Sequence, residues 1–546
     1  TFTRKAAAEV RERLERELGK RRGRGLTAGT FHSICLELLE KTGRKPALAD
    51  DGVMRETARE AVKTAGLSMS AGDFLLRLTR YKAKGSEDAL EENFRKAADF
   101  YQKRLEERGF WDYDDLILET SRLIESGEIS EELLAPFTYL LVDEFQDINP
   151  AQYRLIRNWN RGGRELFVIG DPDQAIYSFR GADADCFGRL SREWPDLTVI
   201  RLTENYRCMP KILKGAGAVI EKNPGGSRTL RANRQGESPI RLVLSTGETA
   251  AAMYAAKEIS RQVGGLDMLA SHEKGNRLED REARSFGDLA VLYRTRRQGE
   301  LLEKVFAQEG IPCVVAGRED YLDMPSVRGA VSFFNRALGK AEVPYGVLAR
   351  QLLEKDGDSP MAAMIFDQKL EKYGAMAART RPAKVLEAWA AEFGLDKDEG
   401  IRKLENMALL HDRMQELLDT IVLGAEGDLR RAGTKTYRAD AVTLTTLHGS
   451  KGLEFPAVIL FGADKGMIPL ESQKEPASAE EERRLFYVGM TRARDELILL
   501  CAGEPSPFIG DIPGETLSRE AAQRTPAQFH QMELFDFLLQ FSPAEP

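Results

Sequence analysis

The stretch Leu140-Leu141-Val142-Asp143-Glu144-Phe145-Gln146-Asp147 runs apolar and then breaks into two adjacent carboxylates. Such a run predicts a strand buried in a parallel sheet. Ligands of parallel sheets bind beyond the carboxyl ends of the strands, so Asp143 and Glu144 fall where a nucleotide and its metal ion would be met. One carboxylate can hold Mg²⁺ and the other accept a proton from an attacking water. Neighbours on an extended strand point opposite ways, which permits that division. An Asp-Glu pair after an apolar run is equally the start of a solvated loop. Taken alone, that blander reading is the better one.

Working outward, residues 166–170 and 197–202 read as further strands, leading into Asp171-Pro172-Asp173-Gln174 and Thr203-Glu204-Asn205-Tyr206-Arg207. Upstream, Arg4–Leu18 reads as a helix with Val10, Leu14 and Leu18 on one face and Thr3 as its cap. Residues 26–31 read as a short strand. A second set follows the Pro224-Gly225-Gly226-Ser227 loop. It comprises strands at Ile240–Leu244, Leu289–Tyr293, 442–447, 457–461 and 496–500, with a helix at 301–308 stopped by Gly310. Strands alternating with helices predict an α/β chain built on parallel sheets.

The long helical, charged stretches read as insertions. The predicted organisation is a first α/β domain at 1–34 and 109–222 with a helical insert at 35–108. A second α/β domain covers 223–335 and 441–505, with an insert at 336–440, and 506–546 is a flexible Pro-, Gln- and Ala-rich tail.

The length of 546 residues requires several domains. Apolar residues make up 42% and charged residues 30%, a balance that suits a soluble globular chain, and no run is apolar enough to cross a bilayer. The five cysteines are scattered without a C-x-x-C pair, which argues against a zinc site or a disulfide framework and suits the cytosol. A net charge of −8 disfavours a coat of nucleic acid but leaves room for a local basic groove.

Four further segments carry chemistry. Gln174 is placed to report on a γ-phosphate, and Tyr177 and Phe179, flanking Ser178 and next to Arg180, suit stacking on unpaired bases, although isolated aromatics are more often core. Arg207 suits bidentate phosphate contact and Tyr206 an adenine ring, or Arg207 pairs with Glu204. The segment 446–455, with His448, Gly449, Lys451, Gly452 and Glu454, lets backbone approach a ligand but lacks Walker A spacing. The charged helix 481–495 offers Arg492 as an arginine finger, or is an ion-paired surface helix.

In their order along the chain these segments resemble the UvrD/Rep family of superfamily 1 DNA helicases. The likeness is carried by TFTRKAA (1–7), TFHS (30–33), VDEFQD (142–147), IGDPDQAIYSFRGA (169–182), LTENYR (202–207), VLYR (291–294), TLHGSKGLEFP (446–456) and EERRLFYVGMTRA (481–493). The resemblance implies two RecA-like motor domains, each with a mostly helical insert. It implies ATP-driven 3′→5′ translocation on single-stranded DNA with duplex unwinding, in repair or replication. Carried over, Asp143 holds Mg²⁺, Glu144 activates water, and Gln174, Arg207 and Arg492 sense the γ-phosphate. Tyr206 stacks on adenine and Glu454 contacts the nucleotide. Phe2, Thr3, Phe31, His32, Tyr177, Phe179 and His448 line the DNA track. Phe179 stands where many relatives have Trp, and Arg4 where they usually have Asn.

The family's Walker A loop and its adenine-recognition segment are expected just upstream of Thr1, and no such loop occurs in these residues. The chain as given is therefore expected to hydrolyse ATP poorly. The alternatives are a DNA-binding module without turnover and an ATPase that remodels a protein partner. In the tail, Gln531-Met532-Glu533-Leu534-Phe535 resembles the bacterial sliding-clamp-binding pentapeptide. With Gln531, Leu534 and Phe535 as anchors it implies a clamp partner. The competing reading is a small amphipathic helix docked on the body.

Overall fold

The computed structural model describes residues 1, 4–19, 26–44, 47–49, 51–84, 92–161, 163, 165–225, 230–264, 284–316, 324–339, 345, 348, 352, 360–409, 411–422, 440–471 and 478–521. Among the described residues no helix is long and apolar enough to cross a membrane.

The quoted stretch does form a strand, Tyr139–Val142, paired in parallel with Glu165–Val168. Its burial differs from the expectation. Tyr139 is 55% and Leu141 70% exposed, while Val142 is buried. Among the described residues one face of the pair, carrying Tyr139, Leu141 and Phe167, is left without a covering layer. The other face packs on the helices Phe31–Lys41, Tyr113–Glu125 and Pro150–Trp159, through Phe31, Leu38, Leu116, Leu123, Ile156 and Trp159. Each of these helices opens on a reciprocal cap: Thr30 with Ser33, Asp112 with Asp115, and Asn149 with Gln152.

Three sequence expectations give way in this domain. Residues 26–31 form no strand, because Thr30 caps a helix that already begins at Phe31. That helix buries Cys35, Leu38 and Leu39 in the domain's own core, so the first insert begins after it rather than at residue 35. The insert proper packs Asp51–Thr64, Ala71–Lys84 and Glu92–Glu107 around Phe74, Phe94 and Tyr101. Residues 197–202 are apolar in part yet unpaired into a strand, and Leu202 is 83% exposed.

Among the described residues the second domain is built on a seven-stranded sheet, parallel throughout. Its order is Leu517–Ala521, Ile240–Leu244, Ala493–Cys501, Phe455–Phe461, Leu289–Tyr293, Val442–Thr446, Cys313–Val315. Its central strands are apolar on both faces because helices cover both. One layer is Pro210–Ile220 and Ala479–Met490; the other is Glu248–Gln262 and Arg296–Gln308. Each fully buried Leu, Ile or Phe stabilises by about 1.5–3 kcal/mol relative to exposure.

Boundaries move here too. The helix Pro210–Ile220 seats Ile212, Leu213 and Val219 against this sheet, so the second domain takes up the chain well before residue 223. The strand Leu517–Ala521 binds the sheet edge, so what had read as flexible tail from 506 is structured to Ala521. The helix Pro325–Ala337 contributes Val327, Ala330, Phe333 and Phe334 to the second insert's core around Trp389, so that insert begins before 336.

Candidate active site

At Glu144 the first strand ends abruptly. Its backbone is left-handed, with φ 54° and ψ 41°, and among the described residues no other non-glycine has positive φ. That conformation costs a residue with a β-carbon about 1–2 kcal/mol, and such strain gathers where function demands a particular geometry. It swings the chain into the turn Phe145–Asp147. Gln146 then donates through Nε2 to Glu144 Oε2 and accepts through Oε1 from the Asp171 backbone N–H at 3.0 Å. Asp171 Oδ2 in turn accepts from Gln174 Nε2 at 2.9 Å. One line of hydrogen bonds therefore joins Glu144 to Gln174. Gly170 makes the approach possible: a β-carbon there would fall 2.3 Å from Gln146 Oε1. Asp143 is half-buried at the strand end, and its Oδ2 lies 3.4 Å from the Thr1 hydroxyl that donates to it.

The second domain meets this line through the loop after Val442–Thr446. Lys451, 8% exposed, bonds Asp147 Oδ2 and donates at 2.7 Å to the Gln174 carbonyl. Its Nζ is 3.8 Å from Glu144 Oε2. Burial pushes the Asp147 carboxyl up to about 7, against the pull of Lys451, with Glu144 adding to the rise. The ion pair alone would favour the charged form; burial is the larger influence, and Asp147 Oδ1 has no partner.

Arg207 and Glu454, both on the second domain's side of this boundary, meet Nε to Oε2 at 2.6 Å. Tyr206 beside them is 74% exposed. Arg492 does not reach out as a finger here. It is 1% exposed and spends its donors within its own domain, on Val488 O at 2.9 Å, Leu453 O at 3.0 Å and Thr491 Oγ1 at 3.2 Å. Burial, with Arg207 nearby, lowers its guanidinium to about 10. It braces the loop that presents Glu454.

Three expected track residues come together. Phe179 meets His448 edge-on at 5.3 Å and Tyr177 at 6.0 Å, and the Arg180 guanidinium lies 5.4 Å and 5.6 Å from the two phenyl-bearing rings. Burial, then Arg294 and Arg180, pushes the His448 imidazole down to about 3, so it is neutral at ordinary pH. Arg80 of the first insert donates to the Phe179 carbonyl at 2.8 Å. Phe31 does not join them: it is buried, stacked on Trp159 at 5.8 Å, and belongs to the core. His32 is half-buried and edge-on to Tyr113 at 5.8 Å. Phe2, Thr3, Gln531, Leu534 and Phe535 lie outside the described residues.

Among the described residues no three acidic, His or Cys side chains converge as a closed metal site would need. Mg²⁺ is commonly held by one or two carboxylates with waters and phosphate oxygens, and the half-exposed Asp143 suits that role.

The profile of the UvrD/REP helicase N-terminal domain matches residues 1–64 and 55–195, and that of the UvrD-like helicase C-terminal domain matches 200–340 and 380–504. The chain belongs to the UvrD/REP helicase family. It is similar to the ATP-dependent DNA helicase Rep of Salmonella typhimurium, with 27% identity over 98% of this chain and 89% of that one. It is also similar to the ATP-dependent DNA helicase PcrA of Bacillus subtilis, with 27% identity over 95% and 79%. The ATP-dependent DNA helicase UvrD1 of Mycobacterium leprae shares 29% over 95% and 79%. The change of profile between 195 and 200 agrees with the packing of Pro210–Ile220 on the second sheet.

Sequence reading gave Gln146, Asp147 and Lys451 no role of their own. The signal available for the first two was polarity directly after a buried Phe145; for Lys451 it was a cation between Gly449 and Gly452. The pair of half-buried Arg294 with buried Glu482, at 2.7 Å, had no such signal.

Proposed function

We propose that this chain is the motor of an ATP-dependent DNA helicase, moving 3′→5′ along single-stranded DNA. The observation that carries the reading is the meeting of two clusters along one domain boundary. Asp143, Glu144, Gln174, Arg207 and Glu454 form the first, and Tyr177, Phe179, Arg180 and His448 adjoin it. ATP and Mg²⁺ are the implied ligands.

Glu144 takes the proton of the attacking water, held in place by Gln146. Gln174 and Arg207 stabilise charge on the γ-phosphoryl oxygens. Arg492 braces the loop that presents Glu454 from within the second domain. Tyr206 offers its exposed ring to the adenine, and Glu454 holds the nucleotide from the second domain. Asp143 would hold Mg²⁺, which supplies charge neutralisation to the phosphates when bound. His32, Tyr177, Phe179 and His448 line the strand's path by stacking, with Phe2 and Thr3 assigned there by resemblance.

The test is ATP hydrolysis with and without single-stranded DNA, alongside unwinding of duplexes carrying either a 3′ or a 5′ single-stranded tail. Stimulated turnover, lost in Glu144→Gln, with unwinding from the 3′ tail supports the proposal. DNA binding without turnover would favour a binding module instead. Stimulated turnover without unwinding would favour a translocase that remodels a protein.

A further inference from the structure

Lys451 Nζ stands at the junction of the two clusters. A lysine ammonium has three donors. Here it bonds Asp147 Oδ2 and, at 2.7 Å, the Gln174 carbonyl, while lying 3.8 Å from Glu144 Oε2 and 5.1 Å from the centre of the Tyr177 ring. All four partners belong to the first domain, whereas Lys451 hangs from the second. Its side chain is 8% and that of Asp147 1% exposed, so the contact is made out of water, where a charge is felt most strongly.

The backbone between Gln174 and Tyr177 is short, and it is pinned at Ala175 O by Arg484 Nε at 2.9 Å. Ser178 beyond it is tied to Glu481 through its N–H at 3.0 Å. The turn that carries the stacking rings is thus held by second-domain groups at these points, as it is by Arg80 of the first insert at the Phe179 carbonyl, and Lys451 also reaches the carboxylates.

We propose that Lys451 is the positioning residue that couples a strand stacked on Tyr177 and Phe179 to the hydrolytic carboxylate Glu144. This rests on the helicase reading. Bases settling on the two rings fix the Gln174 carbonyl and the Tyr177 face. These fix the ammonium, which sets the separation of the domains at Asp147 and the field at Glu144. Without the cation, Asp147 Oδ2 loses its ammonium partner, Glu144 loses the nearby positive charge, and the turn can shift independently of the carboxylates.

The experiment compares wild type, Lys451→Met, Lys451→Arg and the double variant Lys451→Met/Asp147→Asn, which leaves no unpaired buried charge should the single variant fold poorly. ATP turnover is measured with and without saturating oligothymidylate, and oligothymidylate affinity is measured by anisotropy without nucleotide. The proposal expects the stimulation ratio to fall by about tenfold or more in Lys451→Met and in the double variant. The KM for ATP should stay within about twofold, the split expected when only the transition state is affected. Lys451→Arg should retain most of the stimulation. Undiminished stimulation in the double variant overturns it. If wild type turns over too little ATP for a stimulation ratio to be read, the affinity arm decides alone: weakening by about fivefold or more in the double variant supports the coupling, and unchanged affinity overturns it.

Discussion

Arg207 donates its Nε to Glu454 Oε2 at 2.6 Å, so the arginine proposed for the γ-phosphate rests on a carboxylate of the loop after Val442–Thr446. The side chains are 34% and 44% exposed. A pair so open to water is worth about 0–1 kcal/mol, and a phosphate can displace it at little cost.

Replacing Arg207 by Ala is therefore expected to lower ATP turnover by about 10²-fold, the usual cost of one charge-stabilising donor. The melting temperature should shift by no more than a degree or two. A large loss of thermal stability would mean that the contact with Glu454 is structural.

Glu144 separates stability from activity. Glu144→Gly removes both the carboxylate and the left-handed strain, at some cost in unfolded-state entropy. Denaturant titration should show the variant about 0.5–1 kcal/mol more stable than wild type, with hydrolysis abolished. A less stable variant would show that the turn at Glu144 is held by its side chain rather than strained.

His448 should make the protein acid-sensitive before most carboxylates titrate. Its folded pKa, about 3, lies below the ordinary value of 6.5. The unfolded chain thus binds the proton first, and the stability this group contributes above pH 6.5 is lost as pH falls toward 3. Between pH 7.5 and 5 the loss is about 2 kcal/mol. Paired unfolding curves of wild type and His448→Asn should converge by that amount as pH is lowered across this range.

Arg241 anchors the terminal strand. It bonds Glu258 and Glu496, 5% and 8% exposed, and holds Glu520 at 2.9 Å. Burial alone would raise Glu258, but hydrogen bonds from Arg261 and Arg241 outweigh it and hold the carboxyl at about 2. Arg241→Met removes the cation that Glu258 and Glu496 share, leaving Arg261 on the one and Arg284 on the other, and should cost about 1.5–3 kcal/mol. Urea unfolding measures the loss; a change below about 1 kcal/mol would show the charges to be compensated elsewhere.

The pentapeptide Gln531–Phe535 follows the anchored strand that ends at Ala521. A bacterial sliding clamp should be retained by the wild-type chain and lost on replacing Leu534 and Phe535 by Ala. Equal retention by both would leave the amphipathic-helix reading.

Much of the second domain was legible because its strands are continuous apolar runs. Ile240–Leu244 and Leu289–Tyr293 have the ends their sequence suggests. Composition names a strand's taste but not its partner. Residues 197–202 have the composition without a neighbour, and residues 26–31 lose to a cap at Thr30. In the site, Asp143, Glu144, Gln174 and Arg207 could be named one by one. Lys451 could not, since its value lies in Asp147 and Gln174, hundreds of residues away. Phe31 and Arg492 misled for the opposite reason: a ring and a guanidinium look alike in sequence whether they face a ligand or the core.

The strand Leu517–Ala521 pairs with Ile240–Leu244, so the earliest and latest strands of the large sheet are neighbours. During synthesis the edge at Ile240–Leu244 must wait, unpaired on that side, while the whole second insert and five further strands leave the ribosome. Such long-range closure is slow and leaves an edge open to wrong partners. Nascent chains stalled short of Leu517 should therefore be the forms that most need a chaperone.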